Sequence, residues 1–281
     1  MKNYYIENNK IIVTNLSEFN ITHILECGQV FRYEKTNAGY IVFSADKMAE
    51  IKVFEGFIEI ISTDPNYFVN YFDLNTSYTN IKKELSAFSV LQPMLKEAYG
   101  IRILKQNPIE TIISFIISAN NNIKRIQQII NKICVKFGAK QQDLNYYAFP
   151  TLTELKQATV EDFKALGCGY RASYLYKAIR QLENFNINEI YNLNSEDALN
   201  KILSLSGVGP KVADCILLFG FNKQDVFPVD TWIKKVYNDY FTQIKIENVK
   251  EIRKILVNIF KNNSGYAQQY LFYYKRSLEN K

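Results

Sequence analysis

The fold of this chain is decided by the stretch Leu203-Ser204-Leu205-Ser206-Gly207-Val208-Gly209-Pro210-Lys211-Val212-Ala213-Asp214-Cys215. Two apolar helical runs flank its central glycines. Gly207 and Gly209 let the backbone turn sharply and approach a ligand closely, and Pro210 suits the first position of a new helix. The N–H groups exposed at that helix start suit an anion such as a phosphate group. The stretch therefore predicts a helix-hairpin-helix unit over residues of about 195–220.

Two residues of this region could carry chemistry. Lys211 lies in the first turn of the second predicted helix, beside its positive end. This position favours loss of the ammonium proton, which an amine nucleophile requires. Asp230, in Phe227-Pro228-Val229-Asp230, supplies a carboxylate that could offset positive charge. Each residue alone has an ordinary role, as a solvated lysine or a helix N-cap. Together, behind a glycine hairpin, they indicate lysine-based catalysis.

Length and charge set broad limits on the protein. A chain of 281 residues can bury a substantial core in one to three domains. The net charge of +6 permits a polyanionic partner, although a mildly basic solvated surface explains it equally well. No run approaches the roughly eighteen apolar residues of a membrane span, and Met1-Lys2-Asn3-Tyr4-Tyr5 lacks the apolar core of a signal peptide. We therefore expect a cytoplasmic protein without a membrane segment.

The cysteines and the single histidine give no sign of a metal centre. Cys27, Cys134, Cys168 and Cys215 form no C-x-x-C pair, so dispersed reduced thiols are expected. Nothing after Cys215 could complete a four-cysteine iron–sulfur cluster. His23 alone cannot build a histidine metal site or a Ser-His-Asp triad, and a structural role is expected. We expect no metal held by side chains and no required cofactor.

The N-terminal part of the chain has the pattern of short strands. Candidates within residues 1 to about 63 are Ile11-Ile12-Val13, Val30-Phe31-Arg32-Tyr33, Tyr40-Ile41-Val42-Phe43, Ile51-Lys52-Val53-Phe54 and Phe57-Ile58-Glu59-Ile60-Ile61. Turn-like residues separate several of these runs, which favours an antiparallel sheet. Apolar helical spacing begins near Tyr67. We expect a sheet domain with short helices over residues 1–100.

From residue 100 onward the apolar spacing is helical. Asn107-Pro108-Ile109-Glu110 combines an N-cap, a first-turn proline and an acidic residue. Asn120-Asn121-Asn122 then interrupts the pattern, because asparagine favours caps and turns. Later helices are predicted near 159–166, 170–183, 195–204, 210–220, 231–240, 247–261 and 265–276. The sequence therefore predicts an α+β protein whose second domain, residues 101–281, is all-α.

Several motifs in this order resemble the helix-hairpin-helix DNA glycosylases, specifically the 8-oxoguanine DNA glycosylases with AP lyase activity. Besides the hairpin and Pro-Val-Asp, the matching segments are Gly28-Gln29-Val30-Phe31-Arg32, Asn107-Pro108-Ile109-Glu110, Ser118-Ala119-Asn120-Asn121-Asn122-Ile123-Lys124-Arg125, Leu166-Gly167-Cys168-Gly169-Tyr170-Arg171-Ala172 and Tyr266-Ala267-Gln268-Gln269-Tyr270-Leu271-Phe272. The resemblance implies an antiparallel sheet domain followed by an all-α glycosylase domain. Two helical subdomains of the latter would enclose the active site.

The resemblance also implies how this chain would excise a base. Lys211 would form a Schiff base with the opened sugar, after which β-elimination breaks the strand, and Asp230 would partner the lysine. The Gly28 carbonyl would accept a hydrogen bond from N7–H, a donor that 8-oxoguanine has and guanine lacks. Gln268 would read the Watson–Crick edge of the flipped base.

Two further residues would cover the faces of that base. Phe272 would stack on one face and Cys215 would contact the other. Lys211 and Cys215 are four residues apart, so one helical face can present both. Taken alone, Cys215 and Phe272 would be ordinary core residues.

The same resemblance implies a site for the base left behind by flipping. Residues matching Asn120, Arg125 and Arg171 would hold the orphaned cytosine, with Tyr170 wedged beside it. Because both arginines are present, we expect a preference for 8-oxoguanine opposite cytosine. A phosphate or solvent contact is the alternative role for Arg125.

The hairpin itself is expected to bind the DNA backbone. Backbone N–H groups around Gly207, Gly209 and Lys211 would grip a phosphate. A structural cation could bind the backbone carbonyls of Leu203, Leu205 and Val208. The expected partner is double-stranded DNA containing 8-oxoguanine, bound by a monomer, at the nucleoid if the organism is a prokaryote.

Two positions depart from the family pattern, and other functions stay open. Trp232 stands where eukaryotic members usually carry histidine, and Lys275 replaces its partnering aspartate. That polar contact is expected to be absent, which puts a phosphate contact in doubt. An alkylated-base glycosylase would keep Asp230 without Lys211, and an endonuclease III-like enzyme would carry an iron–sulfur cluster. A helix-hairpin-helix glycosylase for another damaged base and a non-catalytic DNA-binding module are the alternatives.

Overall fold

The N-terminal part of the chain is organised by one six-stranded antiparallel sheet. The computed structural model describes residues 3–141 and 146–279. The strands are β1 (Tyr4–Glu7), β2 (Lys10–Val13), β3 (Tyr33–Lys35), β4 (Gly39–Ser44), β5 (Lys47–Val53) and β6 (Ile58–Ile61). Their order in the sheet is β1-β2-β6-β5-β4-β3. Residues of β4 alternate between buried and partly exposed, as expected for a strand that covers a core with one face.

The strand predicted over residues 30–33 is wrong except at its last residue. Val30, Phe31 and Arg32 are buried, and only Tyr33 belongs to a strand. The Arg32 side chain reaches Glu110 at 3.3 Å and the Tyr147 carbonyl at 2.8 Å. These distant partners draw the segment out of the sheet and into the interior. The other predicted strands are confirmed, with shifts of a residue or a few at their ends.

Helices make up most of the rest of the chain. They are α1 (Ile21–Glu26), α2 (Pro65–Tyr71), α3 (Tyr78–Ser86), α4 (Gln92–Glu97), α5 (Pro108–Ser118), α6 (Ile123–Phe137), α7 (Leu152–Leu155), α8 (Val160–Ala165), α9 (Arg171–Leu182), α10 (Ile187–Asn192), α11 (Ser195–Leu203), α12 (Pro210–Phe221), α13 (Thr231–Tyr240), α14 (Val249–Phe260) and α15 (Ser264–Glu279). Short 3-10 turns lie at Ser89–Leu91 and Lys261–Asn263, and β7 (Lys140–Gln141) pairs with β8 (Tyr146–Tyr147). The later helices predicted from the sequence are confirmed.

Local capping explains why the helices begin where they do. The Asn107 side chain accepts a hydrogen bond from the Glu110 N–H at 3.1 Å, and Pro108 opens α5. After α5, Asn120 adopts a left-handed φ of 50°. Asn122 then caps α6 by accepting the Arg125 N–H at 2.9 Å. The interruption expected at Asn120-Asn121-Asn122 is therefore confirmed.

Two hydrophobic cores divide the molecule, and their border does not follow residue 100. The first core joins the sheet to α1 and α2. The second contains the later helices but also Tyr78, Leu85, Leu91, Met94 and Ala98, from α3 to the end of α4. Helices α3 and α4 thus pack with the helical domain.

The helical domain is arranged around α5 and α12. Helix α5 is buried from Glu110 to Ile117 and packs against α6, α9 and α12. Helix α15 packs against α4, α13 and α14. In the part of the chain that the structure describes, no helix is long and apolar enough to cross a membrane.

Candidate active site

The predicted hairpin joins α11 to α12. Gly207 has a φ of 82°, and a Cβ atom there would lie 2.7 Å from Tyr174 Cβ. Gly209 is the N-cap of α12 with an extended φ of −96°, and no atom lies within 4 Å of the position of a Cβ there. The structure thus requires glycine at residue 207 for its backbone, and leaves open space beside residue 209 at the start of the helix.

One small cavity collects the residues predicted for catalysis and base binding. Its walls are Cys27, Gly28, Lys211, Cys215, Phe219, Asp230, Gln268, Gln269 and Phe272. They come from the segment after α1, from α12, from the start of α13 and from α15. Lys211 Nζ lies 5.6 Å from the centre of the Phe115 ring, on α5. Residues far apart in the sequence therefore meet around the Lys211 amine.

The charge state of Lys211 differs from the one expected. Burial lowers the pKa of Lys211, whereas Cys215 and the Asp230 carboxylate raise it by more. The net pKa of Lys211 therefore lies above its ordinary value. Burial raises the pKa of the Cys215 thiol to about 11, so this thiol is neutral at neutral pH. This direction is opposite to the predicted loss of the lysine proton, because Cys215 and Asp230 favour the charged form. Lys211 rests here as an ammonium ion.

Asp230 has two roles at once. Its Oδ1 accepts the N–H groups of Trp232 at 3.0 Å and Ile233 at 2.9 Å, which caps α13. Burial raises the pKa of Asp230, while these N–H groups and Lys211 lower it, and the net pKa is above the ordinary value. The Asp230 carboxylate also lines the cavity that holds Lys211. The cap therefore orients a carboxylate that also lines the cavity.

The walls of the cavity are closed on one another. A Cβ atom on Gly28 would lie 3.3 Å from Phe272 Cε1, and Gln269 Nε2 donates to Gln268 Oε1 at 2.7 Å. The cavity has a volume of about 30 Å³, enough for water but not for a purine ring. A flipped base would have to displace the Phe272 ring from Gly28 before it could enter.

The residues predicted to hold the opposite base also come together. Arg171 donates from Nε to the Ala119 carbonyl at 2.8 Å and from Nη2 to the carbonyls of Ala119 and Asn120. Tyr170 is 57% exposed, and its ring lies 4.3 Å from the Arg171 guanidinium. Arg125 Nη2 donates to the Gly167 carbonyl at 3.3 Å. Arg171 is thus buried against the Asn120 loop, whereas Arg125 and Tyr170 face solvent.

The two departures from the family pattern have their own partners. Lys275 Nζ lies 3.5 Å from Asp239 Oδ2, which joins α15 to α13. Lys235 Nζ lies 5.3 Å from the centre of the Trp232 ring. An ion pair between Lys275 and Asp239 therefore connects α15 to α13.

The sequence analysis missed two residues beside Gly28. The buried Gln29 side chain donates to the carbonyls of Ile24 at 2.9 Å and Arg102 at 2.8 Å. Arg276 Nη1 donates to the Glu26 carbonyl at 2.8 Å. Gln29 stands inside a matching motif, and Arg276 is one helical turn from Phe272, so helix geometry alone could have drawn attention to it.

The described residues contain no group of three or more His, Cys, Asp and Glu side chains that could hold a metal ion. All four cysteines are free and buried. His23 packs between the rings of Tyr99 and Tyr273, and its Nδ1 lies 2.8 Å from the Tyr99 carbonyl.

Comparison with known proteins agrees with this geometry. Residues 11–112 match the N-terminal domain of 8-oxoguanine DNA glycosylase, and residues 113–262 match the HhH-GPD superfamily of base excision DNA repair proteins. An N-glycosylase/DNA lyase of Saccharomyces cerevisiae is 33% identical over an alignment of 282 positions that covers 86% of this chain and 74% of that protein.

Solved structures show the same likeness over the whole chain. A Clostridium acetobutylicum 8-oxoguanine glycosylase/lyase, in complex with dsDNA containing cytosine opposite to 8-oxoG, is 38% identical with a TM-score of 0.92 and 98% coverage of both chains. MBOgg1, in complex with a low affinity DNA ligand, is 33% identical with a TM-score of 0.92 and 99% coverage of both chains. The chain therefore belongs to the 8-oxoguanine DNA glycosylase/lyase family, within the HhH-GPD superfamily of base excision DNA repair proteins.

Proposed function

We propose that this chain removes 8-oxoguanine from double-stranded DNA, preferentially opposite cytosine, and then cleaves the strand at the resulting abasic site. The observation that carries the proposal is the meeting of Lys211, Asp230 and Gly28 in one cavity behind the helix-hairpin-helix. The chain would act as a monomer on chromosomal DNA, in the cytoplasm and at the nucleoid if the organism is a prokaryote.

The proposed reaction begins with the Lys211 amine. After losing one proton to solvent, the amine bonds to C1′ of the flipped nucleotide while the bond from C1′ to the base breaks. The base leaves with the electron pair and takes up the second proton, which the nitrogen releases. The Asp230 carboxylate stabilises the positive charge that develops at the sugar. Opening of the sugar ring gives a Schiff base. Loss of a proton from C2′ then expels the 3′ phosphate and breaks the strand.

Selection of the damaged base is proposed to depend on the Gly28 carbonyl. This acceptor would pair with N7–H of 8-oxoguanine, whereas the bare N7 of guanine would place two acceptors against each other. Gln268 would bind the Watson–Crick edge after leaving Gln269. Phe272 and Cys215 would cover the two faces of the ring, and Cys215 presents a neutral thiol for that contact.

Preference for cytosine is proposed to come from the loop between α5 and α6. Asn120, Arg125 and Arg171 offer both donors and an acceptor to a cytosine edge. Arg171 holds the loop through backbone carbonyls, and the exposed Tyr170 ring would fill the gap left in the stack.

The hairpin is proposed to hold the DNA backbone. The N–H groups around Gly207, Gly209 and Lys211 would bind a phosphate at the start of α12. The carbonyls of Leu203, Leu205 and Val208 would hold a structural cation, since they are oxygen ligands that hard cations accept. The Leu205 carbonyl also accepts the Val208 N–H at 3.2 Å, which leaves a second lone pair. No further cofactor is part of the proposal.

Borohydride trapping tests the proposal directly. Duplexes carrying one 8-oxoguanine opposite each of the four bases would be incubated with the wild-type protein and with Lys211→Gln. We expect a covalent adduct with the wild type only, formed fastest opposite cytosine. Base removal by Lys211→Gln would refute the assignment of Lys211 as the nucleophile. Equal trapping opposite all four bases would refute the preference for cytosine.

Trapping on an additional duplex that carries an abasic site separates the other functions. A glycosylase for another damaged base would leave 8-oxoguanine in place yet be trapped on an abasic site, because the lysine chemistry is the same. A non-catalytic DNA-binding module would give neither adduct nor base loss on any duplex.

A further inference from the structure

The position of the Gly28 carbonyl is fixed from both sides along the chain. Gly28 has a left-handed φ of 79° and follows directly after α1. Discrimination through one hydrogen bond requires that the Gly28 carbonyl keeps one direction. Because glycine has no side chain that packing could hold in place, other contacts must fix this direction.

The side chain after Gly28 holds the segment that follows it. Gln29 is fully buried, and its Oε1 accepts the Leu104 N–H at 2.9 Å. Its amide nitrogen donates to two backbone carbonyls, and its own carbonyl accepts from Gln106 Nε2 at 2.7 Å. These bonds fix the chain immediately after Gly28.

The preceding side is held from α15. Arg276 Nη1 donates to the carbonyl of Glu26, the last residue of α1, at 2.8 Å. The same Nη1 atom lies 3.9 Å from the position that a Cβ on Gly28 would take. A cation at the carbonyl end of a helix is stabilising. Because Phe272 and Arg276 are one turn apart, one face of α15 presents both the ring and the guanidinium to Gly28.

The Glu26 carboxylate does not account for this contact. Its Oε1 accepts the Tyr40 hydroxyl at 2.9 Å and lies 3.9 Å from Lys35 Nζ. In the described part of the chain, the salt bridges of the Glu26 carboxylate do not include Arg276. The Arg276 guanidinium therefore binds the backbone next to Gly28 and not the Glu26 carboxylate.

We propose that Arg276 is a positioning residue that fixes the Gly28 carbonyl relative to Phe272, and thereby sets the rate of base excision without setting the rate of strand cleavage at an abasic site. This inference rests on the proposed function. An abasic site has no base to recognise, so its cleavage needs Lys211 but not the direction of the Gly28 carbonyl.

The test compares two duplexes under single-turnover conditions. One carries 8-oxoguanine opposite cytosine, and the other carries an abasic site opposite cytosine. For Arg276→Ala we expect base excision to slow by about tenfold to a hundredfold, the range for a small misplacement of a reacting partner. Cleavage of the abasic duplex is expected to stay within about twofold of the wild type, and Arg276→Lys is expected to recover part of the excision rate because it can still donate to the Glu26 carbonyl.

Lys275→Ala is the matched control, because it removes a cation from the same turn of α15 without touching the Gly28 segment. Its excision rate is expected to match the wild type. If Arg276→Ala slows both reactions equally, Arg276 acts in folding or in phosphate binding, and the inference is overturned. An unchanged excision rate also overturns it. Failure of the wild type to excise 8-oxoguanine, with abasic cleavage intact, would instead refute the proposed substrate.

Discussion

Lys211 is the residue on which the proposed reaction turns, and its surroundings set the pH at which it acts. Because its pKa lies above the ordinary value, the free amine is a small fraction at neutral pH. As long as the pH is below the pKa, the free-amine fraction rises about tenfold for each unit by which the pH increases. We expect the single-turnover excision rate to increase with pH through neutrality into the mildly alkaline range.

Protonation of Asp230 is expected to lower the excision rate at the acid end of the same pH profile. Burial raises the pKa of Asp230, so the carboxylate gains a proton at a higher pH than an ordinary aspartate does. Asp230→Asn should lower the rate and remove this acid limb, while the alkaline rise from Lys211 stays. A wild-type rate that does not change with pH would show that proton loss from Lys211 does not limit excision.

Arg125 is the residue on which the opposite-base preference can be tested with least effect on folding. It is exposed, and its guanidinium donates to the Gly167 carbonyl at 3.3 Å. Arg125→Ala should reduce the discrimination between cytosine and the other opposite bases by about 1–3 kcal/mol, the contribution of one good contact to a base edge. Excision rates on four duplexes measure the effect, and the neighbouring exposed Lys124→Ala is the control. Unchanged discrimination would assign Arg125 to a phosphate or to solvent.

At the scale of elements, the hairpin offers two glycines with different requirements. Gly207→Ala places a methyl group in a left-handed backbone and 2.7 Å from Tyr174 Cβ. We expect a loss of about 1–3 kcal/mol in the free energy of unfolding from the backbone alone. Gly209→Ala meets open space and extended backbone, so its unfolding free energy should fall by less, about 0.5–1 kcal/mol, because alanine is a poorer N-cap than glycine.

Urea denaturation and DNA binding together separate the two effects. Gly209→Ala should still weaken binding to duplex DNA, because its methyl group stands where the backbone would approach a phosphate. Equal stability of the two variants would contradict the role assigned to Gly207.

Helix boundaries could be predicted because their causes are local. Pro210 opens α12, Asp230 caps α13 and Asn122 caps α6, and each of these signals lies within a few residues of its effect. The segment at residues 30–33 could not be predicted in this way. Arg32 is drawn inward by Glu110 and by the Tyr147 carbonyl, which are far away in the sequence.

At the scale of the whole molecule, the cavity is built from segments that only the complete fold brings together. Gly28 follows the first helix, Lys211 begins α12 and Phe272 lies on α15. The pattern of glycines, lysine and aspartate indicated the chemistry, and the family resemblance indicated the base-binding residues. The raised pKa of Lys211 and the contact from Arg276 to Glu26 depend on three-dimensional neighbours, so neither followed from local sequence.

The closed cavity between Gly28 and Phe272 also has a thermodynamic consequence. A base can enter only the fraction of molecules whose pocket is open, and the apparent affinity falls by that fraction. A pocket open in about one molecule in a hundred would weaken the apparent affinity about a hundredfold relative to the open form. In the proposed function every base would meet the same opening cost, and a lesion that bonds to the Gly28 carbonyl would offset that cost, whereas an undamaged base would not.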